Sequence, residues 1–353
     1  MVGRPMTVAA PRRPELGDIS QVASARAIRL EDGSEDGVRA IDVRVAGGIH
    51  ALVLVDRGLD IGPAWFAGYP LGWQSPTGIV HPAYFRDDFW LRSFHGGLMF
   101  TAGLENVGSA VQDGDASHGL HGRVSNLPAR DVISAVSEDR DGIAVVVTGS
   151  VRETTVYGVD LVLHRRLTFR VGWPVIEIED LVENRGYEPA PIYLLYHVNV
   201  GHPVVAPTSR LVSPAERVEG WDEVSRAAEP GFATFRSPAP DAAVEVFEHH
   251  LPASAGDEVT IAVVDPAHEP TGGLGLAVTY DRRRLPRLWQ WRMLGQGRYV
   301  TGLEPANCGL LGRVDEARSG RSQALEPGEV RPFGIRLQAL TGAAAQDMAR
   351  RAR

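Results

Sequence analysis

The sequence of 353 residues predicts an all-β fold, a large antiparallel β-sandwich with few short helices. Three observations predict it. Runs rich in Val, Ile, Thr and aromatic residues alternate with polar ones at period two along most of the chain. Turn formers punctuate them, and 39 Gly and 24 Pro are enough to join many short strands. There is scarcely any strand–helix alternation of the kind that builds a parallel sheet.

The first clear run, 38–45, alternates toward the Gly47-Gly48 turn. The run 49–55 follows and ends in Asp56-Arg57-Gly58-Leu59-Asp60. Further runs of the same kind cover 143–151, 159–171, 175–182, 192–200, 259–264, 274–280 and 288–293. The run 298–303 delivers Glu304, and Pro305 is expected to stop the strand there, since proline gives nothing to a sheet ladder. Helices are expected only at 21–29 and 343–353. No linker divides the chain, so 1–353 reads as one domain with an N-terminal extension, 1–36. A long excursion at 203–240, richer in Pro, Ala and charge, reads as a lid or an edge covering. No short repeat supports a propeller or solenoid.

Composition removes several function classes. A net charge of −8 and a pI near 5.8 leave no basic footprint for nucleic acid. No apolar run reaches the length of a membrane span. Residues 1–16 hold Arg4, Arg12 and Arg13 but no apolar stretch of a signal peptide, so a cytoplasmic location is expected. The single cysteine, Cys308, excludes an internal disulfide and a multi-cysteine metal site. All 36 basic residues are arginine. Without lysine there is no Schiff base, no pyridoxal-phosphate attachment and no phosphate-loop lysine. Arginine binds and polarises but does not act as a base. Proton transfer therefore falls to His, Asp, Glu or Tyr, and no cofactor is expected.

Four stretches carry candidate chemistry. Glu304 sits at an ordered strand end, where a scaffold holds a catalytic group, although a surface glutamate reads the same way. His95 lies in the glycine-dense 94–104 stretch, whose glycines suit tight packing or close approach of a ligand. His118 and His121, three apart in a polar loop, invite a metal reading. A metal needs three or four converging ligands, however, and no metal site is assigned. The alternative for this loop is hydrogen bonding to a polar ligand, with Arg123 as a fork of donors. On the strand 192–200 Tyr193, Leu195, His197 and Asn199 share one face, which turns polar as the strand ends at Gly201. Trp289 and Trp291 precede Glu304, and an indole beside polar donors is a usual way to hold a sugar. Arg57, after an apolar strand, either pairs with Asp56 or Asp60 or faces a cleft and reads an anionic group.

The order of these motifs resembles the galactose mutarotase (aldose 1-epimerase) superfamily, in particular its aldose-1-epimerase-like branch. The carriers are Leu120-His121-Gly122, Tyr196-His197, Leu303-Glu304 and the closing Leu325-Glu326-Pro327-Gly328-Glu329, over residues 42–340. The resemblance implies a supersandwich of antiparallel sheets with a carbohydrate site on its concave face. It implies that Glu304 takes the anomeric proton, that His197 protonates the ring oxygen, and that His121 binds substrate. Arg123, Asn199, Arg57, His95 and Trp291 are further candidate substrate contacts. This chain departs from the standard pattern at Val198-Asn199-Val200-Gly201, and Arg123 directly follows the His-Gly pair. The expected partner is a small-molecule sugar or sugar derivative, with no nucleic acid or membrane, and the sequence allows a homodimer. The expected activity is interconversion of sugar anomers. The alternatives are a non-catalytic carbohydrate-binding protein, or a sugar lyase or isomerase using the same Glu/His site.

Overall fold

A computed structural model describes residues 13–352. Arg4, Arg12 and most of the stretch weighed against a signal peptide lie outside the described residues. Two antiparallel sheets dominate, one of twelve strands and one of eight. The expected all-β sandwich is what the chain forms. The larger sheet runs from an edge at Ala23–Arg29 through Asp60–Phe66 and Met99–Leu104 to a centre at Ala190–Gly201. It continues through Arg298–Ala306, Arg287–Gly295 and Val244–His250 to Arg217–Gly220. The smaller sheet packs behind, with Gly142–Thr154, Asp160–Arg170, Val175–Asn184 and Val330–Thr341 at its heart. Apolar side chains from the facing surfaces of both sheets form one continuous core.

Two expectations change and a third narrows to one of its alternatives. Residues 21–29 are not a helix. Asp18 caps a single 3-10 turn, Ile19–Gln21, and the chain then extends as Ala23–Arg29 against Arg39–Val45. Intrinsic helix preference is weak against tertiary context even for alanine, and pairing along seven residue positions outweighs it. The strand carrying Glu304 does not stop at Pro305 but runs on to Ala306. Of the two readings of the excursion 203–240, the edge covering is the one it fits, since it supplies an edge strand to each sheet. It contains Arg210–Val212, Arg217–Gly220 and the helix Glu223–Ala228. It covers the side of Arg287–Gly295 turned away from the candidate site: Arg292 donates there to the carbonyls of Gly231, Phe232 and Thr234. The C-terminal helix occupies Gly342–Ala349.

A buried polar network joins the sheets. Arg165, on the smaller sheet, donates twice to Asp180 at 2.9 and 2.7 Å and once to Asp60 of the larger sheet at 3.0 Å. Thr101 and Tyr196, both on the larger sheet, close the network onto Asp60 and Asp180 at 2.6 and 2.7 Å. Arg165, Asp60 and Asp180 side chains have no exposed surface. Burial of this kind is tolerable only while every charge keeps its partner. Arg165→Ala leaves two carboxylates facing each other in the core. It is expected to destabilise the protein by about 3–5 kcal/mol, read as a large fall in melting temperature. Arg165→Ala combined with Asp60→Asn and Asp180→Asn should recover part of the loss.

Candidate active site

The site is built on adjacent strands of the larger sheet. In the pairing of Ala190–Gly201 with Arg298–Ala306, Leu195 faces Ala306 and Val198 faces Leu303. That register sets His197 opposite Glu304. The ladder is interrupted between those two pairs, where Pro305 has no N–H to give. The two side chains meet there, His197 Nε2 lying 3.2 Å from Glu304 Oε1. They are 4% and 2% exposed. On the next strand Trp289 pairs with Glu304 and Trp291 with Gly302.

Gly302 makes the contact geometrically open. A Cβ there would sit 2.3 Å from Glu304 Oε1 and 3.1 Å from His197 Cε1. Its backbone is not in the left-handed region, so a side chain is excluded by space alone. This residue was not singled out in the sequence, because a glycine between two strand residues signals only a close approach, not what approaches.

Above the pair lies a cavity of about 550 Å³ lined by Trp73, Trp90, Phe94, Trp291, His121 and Val246, with Arg298 at its edge. His197 sits 5.5 Å from the Trp291 ring, 5.3 Å from Phe94 and 6.0 Å from His121, measured between ring centres. Trp73–Gln74 pairs with Gly96–Gly97 and is thereby laid across the end of the histidine strand. A Cβ at Gly201 would meet the Trp73 backbone at 2.8 Å. Trp90 and Phe94 stack at 4.5 Å on the segment that crosses the pocket. None of Trp73, Trp90, Phe94 or Arg298 was among the sequence candidates. Trp73 comes from a two-residue strand, Trp90 from a 3-10 segment and Phe94 from the loop after it, all too short to carry a periodic signal, and Arg298 opens the strand of Glu304.

Of the eight residues expected at the site, the fold brings together Glu304, His197, His121 and Trp291. His121 enters through a loop residue in the left-handed region, φ 57°, and its ring lies 5.0 Å from Trp90. The other four do not line the cavity. Arg57 is fully buried and its three arms donate to the carbonyls of Ser125, Val80 and Ser93 at 2.7–2.8 Å. It neither faces the cleft nor hydrogen-bonds the neighbouring Asp56 or Asp60; it is a clamp on backbone. Arg123 is exposed and acts electrostatically on Glu105 and Glu153 outside the cavity. His95 is buried behind the site against Phe100. Asn199 is also buried, its amide donating to the carbonyls of Gly96 and His197. Among the described residues no three His, Cys, Asp or Glu side chains converge as metal ligands, and no helix is long and apolar enough to cross a membrane.

Burial sets the electrostatics. It pushes Glu304 up to about 8, only partly opposed by the backbone N–H of Trp291. It pushes His197 down to about 3, with nearby His121 adding to the fall and Asn199 opposing it. His121 itself falls to about 4 through burial. Between those limits the Glu304–His197 pair holds one proton. One group can give it while the other accepts, so the pair can move protons between two oxygens of a bound ligand.

The Glu304 shift has a stability consequence. The folded state keeps a proton that the unfolded chain releases above its ordinary pKa, so stability falls as pH rises from about 4.5 to about 8. Glu304→Gln removes that penalty. Its melting temperature is expected to exceed the parent's by about 2 °C or more at pH 8, and to match it near pH 4.

The family described as "Domain of unknown function (DUF4432)" matches residues 35–339. No curated protein is matched by the sequence. Among solved structures, a Klebsiella pneumoniae protein provisionally named an aldose 1-epimerase superposes with a TM-score of 0.87 at 24% identity, over 94% of this chain and 87% of that one. A galactose mutarotase-like protein from Clostridium acetobutylicum follows at TM-score 0.59 and 13% identity, over 91% and 99%. A galactose 1-epimerase from Lactobacillus acidophilus gives 0.53 and 13%, over 91% and 99%. At these identities the likeness is one of fold.

Proposed function

The chain belongs to the DUF4432 family and has the galactose mutarotase-like fold, and from that premise we propose that it is a carbohydrate-active isomerase of the aldose 1-epimerase kind. One observation carries the reading: a buried carboxyl and a buried imidazole 3.2 Å apart on the lining of an aromatic pocket. Anomer exchange needs two proton movements at once. The anomeric hydroxyl loses a proton while the ring oxygen gains one, and the C1–O5 bond opens. A buried acid–base pair provides both without net change in its own proton count. Trp73, Phe94 and Trp291 offer ring faces to the apolar C–H surface of a pyranose. His121 lies within reach of a ligand bound against His197.

Saturation-transfer NMR on α- and β-anomers across a panel of aldoses and aldose derivatives tests the reading. Accelerated exchange on at least one member is expected. Binding without exchange would make the protein a sugar-binding module, and a new product would make it a lyase or isomerase of another kind.

On the exchanged sugar, Glu304→Gln and His197→Asn should each lower kcat by at least about 10²-fold, with binding retained. The double variant should be little worse than either, because the two groups act as a unit. The rate should be flat between the limits of the one-proton state. It should fall below about pH 3 as the pair gains a second proton, and above about pH 8 as it loses its last. Gly302→Ala, whose methyl would displace the carboxylate, should lower kcat by about 10-fold or more while melting within a few degrees of the parent.

A further inference from the structure

Away from Glu304 and His197 the cavity changes character in a definite order along the sheet. In the ladder of Arg287–Gly295, Trp291 lies between Gly302 and Val246, and Met293 lies beside Val244 on the same face. Gly295, the next residue on that face, pairs with Arg298. A ligand that reaches outward from Glu304 along the strands therefore crosses two apolar rungs, Trp291–Val246 and Met293–Val244, before it meets a charge at Arg298. Val244 is 45% exposed, and so is 69% of Leu91, which lines the cavity from the segment that crosses it. The apolar track thus continues from the pair to the mouth.

The polar side chains on the lining are short of acceptors. A sugar hydroxyl has a hydrogen to place as well as lone pairs to fill. Carboxylates and side-chain amides are the strong side-chain acceptors, yet among the described residues no Asp, Asn or Gln lines the cavity, and Glu304 is its one carboxyl. Indole N–H groups and the Arg298 guanidinium only donate. Thr77 Oγ1 directs its hydrogen to the carbonyls of Gly78 and Phe94, each at 3.0 Å. Ser75 Oγ already accepts the Thr77 N–H at 3.3 Å, and His121 Nδ1 accepts that of Gly108 at 3.4 Å. Glu304 and His197 are engaged by O1 and O5 when the sugar's anomeric end lies on the pair. A hydroxyl packed against either rung then has a donor within the aromatic wall but no side-chain acceptor for its own hydrogen. Burying it there forfeits hydrogen bonds that water supplied. A C–H group loses nothing by the same contact, and an ether or ester oxygen only accepts, which suits an indole N–H.

We propose that the sugar taken here has no free hydroxyl where it packs against the Trp291–Val246 and Met293–Val244 rungs: it is a deoxy sugar, or one whose outer hydroxyls carry an alkyl or acyl group. The inference rests on the isomerase reading only for where the anomeric end lies. Val244, Val246 and Met293 are then specificity-determining residues, since they reject a hydroxyl without touching the reacting atoms. Rejection by an apolar wall is moderate, and one added hydroxyl lowers kcat/KM by up to about 10²-fold.

Matched reducing sugars that differ at one position test this on the full chain: D-galactose against D-fucose, D-ribose against 2-deoxy-D-ribose, and D-glucose against 6-O-acetyl-D-glucose. Saturation-transfer NMR reads binding and anomer exchange in each pair. The hydroxyl-poor member should exceed its parent in kcat/KM by about 10- to 10²-fold in at least one pair. A preference within the first two pairs assigns the deoxy class, and one within the third assigns the blocked class. Equal or better use of the hydroxylated parent in every pair overturns the proposal. Met293→Gln sets an acceptor on the second rung and should lower the preference about 10-fold by improving the parent sugar. Val244→Asn, at an exposed position, should shift it in the same direction and serves if Met293→Gln does not fold. An unchanged preference in a folded variant overturns the assignment of these walls. Selective binding of the hydroxyl-poor members with no exchange on any sugar sinks the isomerase reading and leaves the ligand class standing. Exchange with equal kcat/KM within every pair does the reverse.

Discussion

The Arg165 guanidinium, gripped between Asp180 of the smaller sheet and Asp60 of the larger, is the contact on which the site depends. Apolar packing would hold the two sheets together across a range of offsets, because dispersion and burial are not directional. A planar fork with fixed donor directions allows one offset. Tyr196 joins the same network through its hydroxyl on Asp180. Tyr196 and His197 are consecutive residues of one strand, so their side chains leave on opposite faces. Pinning Tyr196 into the inter-sheet layer thereby presents His197 to the other face. What fixes the sandwich also aims the His197 imidazole into the cavity.

Arg57 works similarly, though the sequence suggested something else for it. Its three carbonyl partners belong to separate segments. Ser93 immediately precedes Phe94, and Ser125 follows the His121 loop by a few residues. One buried side chain thus ties together the backbone of two pocket walls that have no regular structure of their own. A cation surrounded by carbonyl dipoles is a costly arrangement, and it is used where loops need a common anchor.

The strands were legible because alternation at period two survives where one face is buried, as in 175–182, and because a run buried on both faces, such as 192–200, is continuously rich in β-branched and aromatic residues. The Ala23–Arg29 strand was not, since short side chains at a sheet edge give little contrast between faces. At the site, His197 and Glu304 were legible through their order along the chain, and His121 through its loop. The register that sets two of them opposite each other is written in no local pattern. Trp73, Trp90 and Phe94 were invisible for the same reason: a two-residue strand, a 3-10 segment and the loop after it deliver them, and their convergence depends on where the glycines let backbone cross backbone. Arg57, Asn199 and His95 had the right chemistry and the right neighbours in sequence, but Arg57 and His95 are buried away from the pocket, and Asn199, on the face of His197, is covered by the Gly96 backbone. Sequence shows which side of a strand a residue shares with its neighbours, not whether that side is open at its position.

The aromatic wall and the proton-sharing pair are two sides of one constraint. An indole-lined cavity offers a sugar its C–H contacts, yet it also strips water from the groups at its floor. Stripped of water, a carboxylate and an imidazolium each cost more than their neutral forms, and both groups move toward neutrality. The two groups lie 3.2 Å apart, close enough for one bound ligand to touch both, so a proton has only a short way to go. The same burial that makes the pair uncomfortable to fold therefore sets it up as a relay. Polar side chains around Glu304 would hold the carboxylate as a stable ion and reduce its readiness to pass a proton. The scarcity of donors around the carboxyl thus keeps it able to pass a proton, and Gly302 keeps even a methyl group out of the space the two groups share.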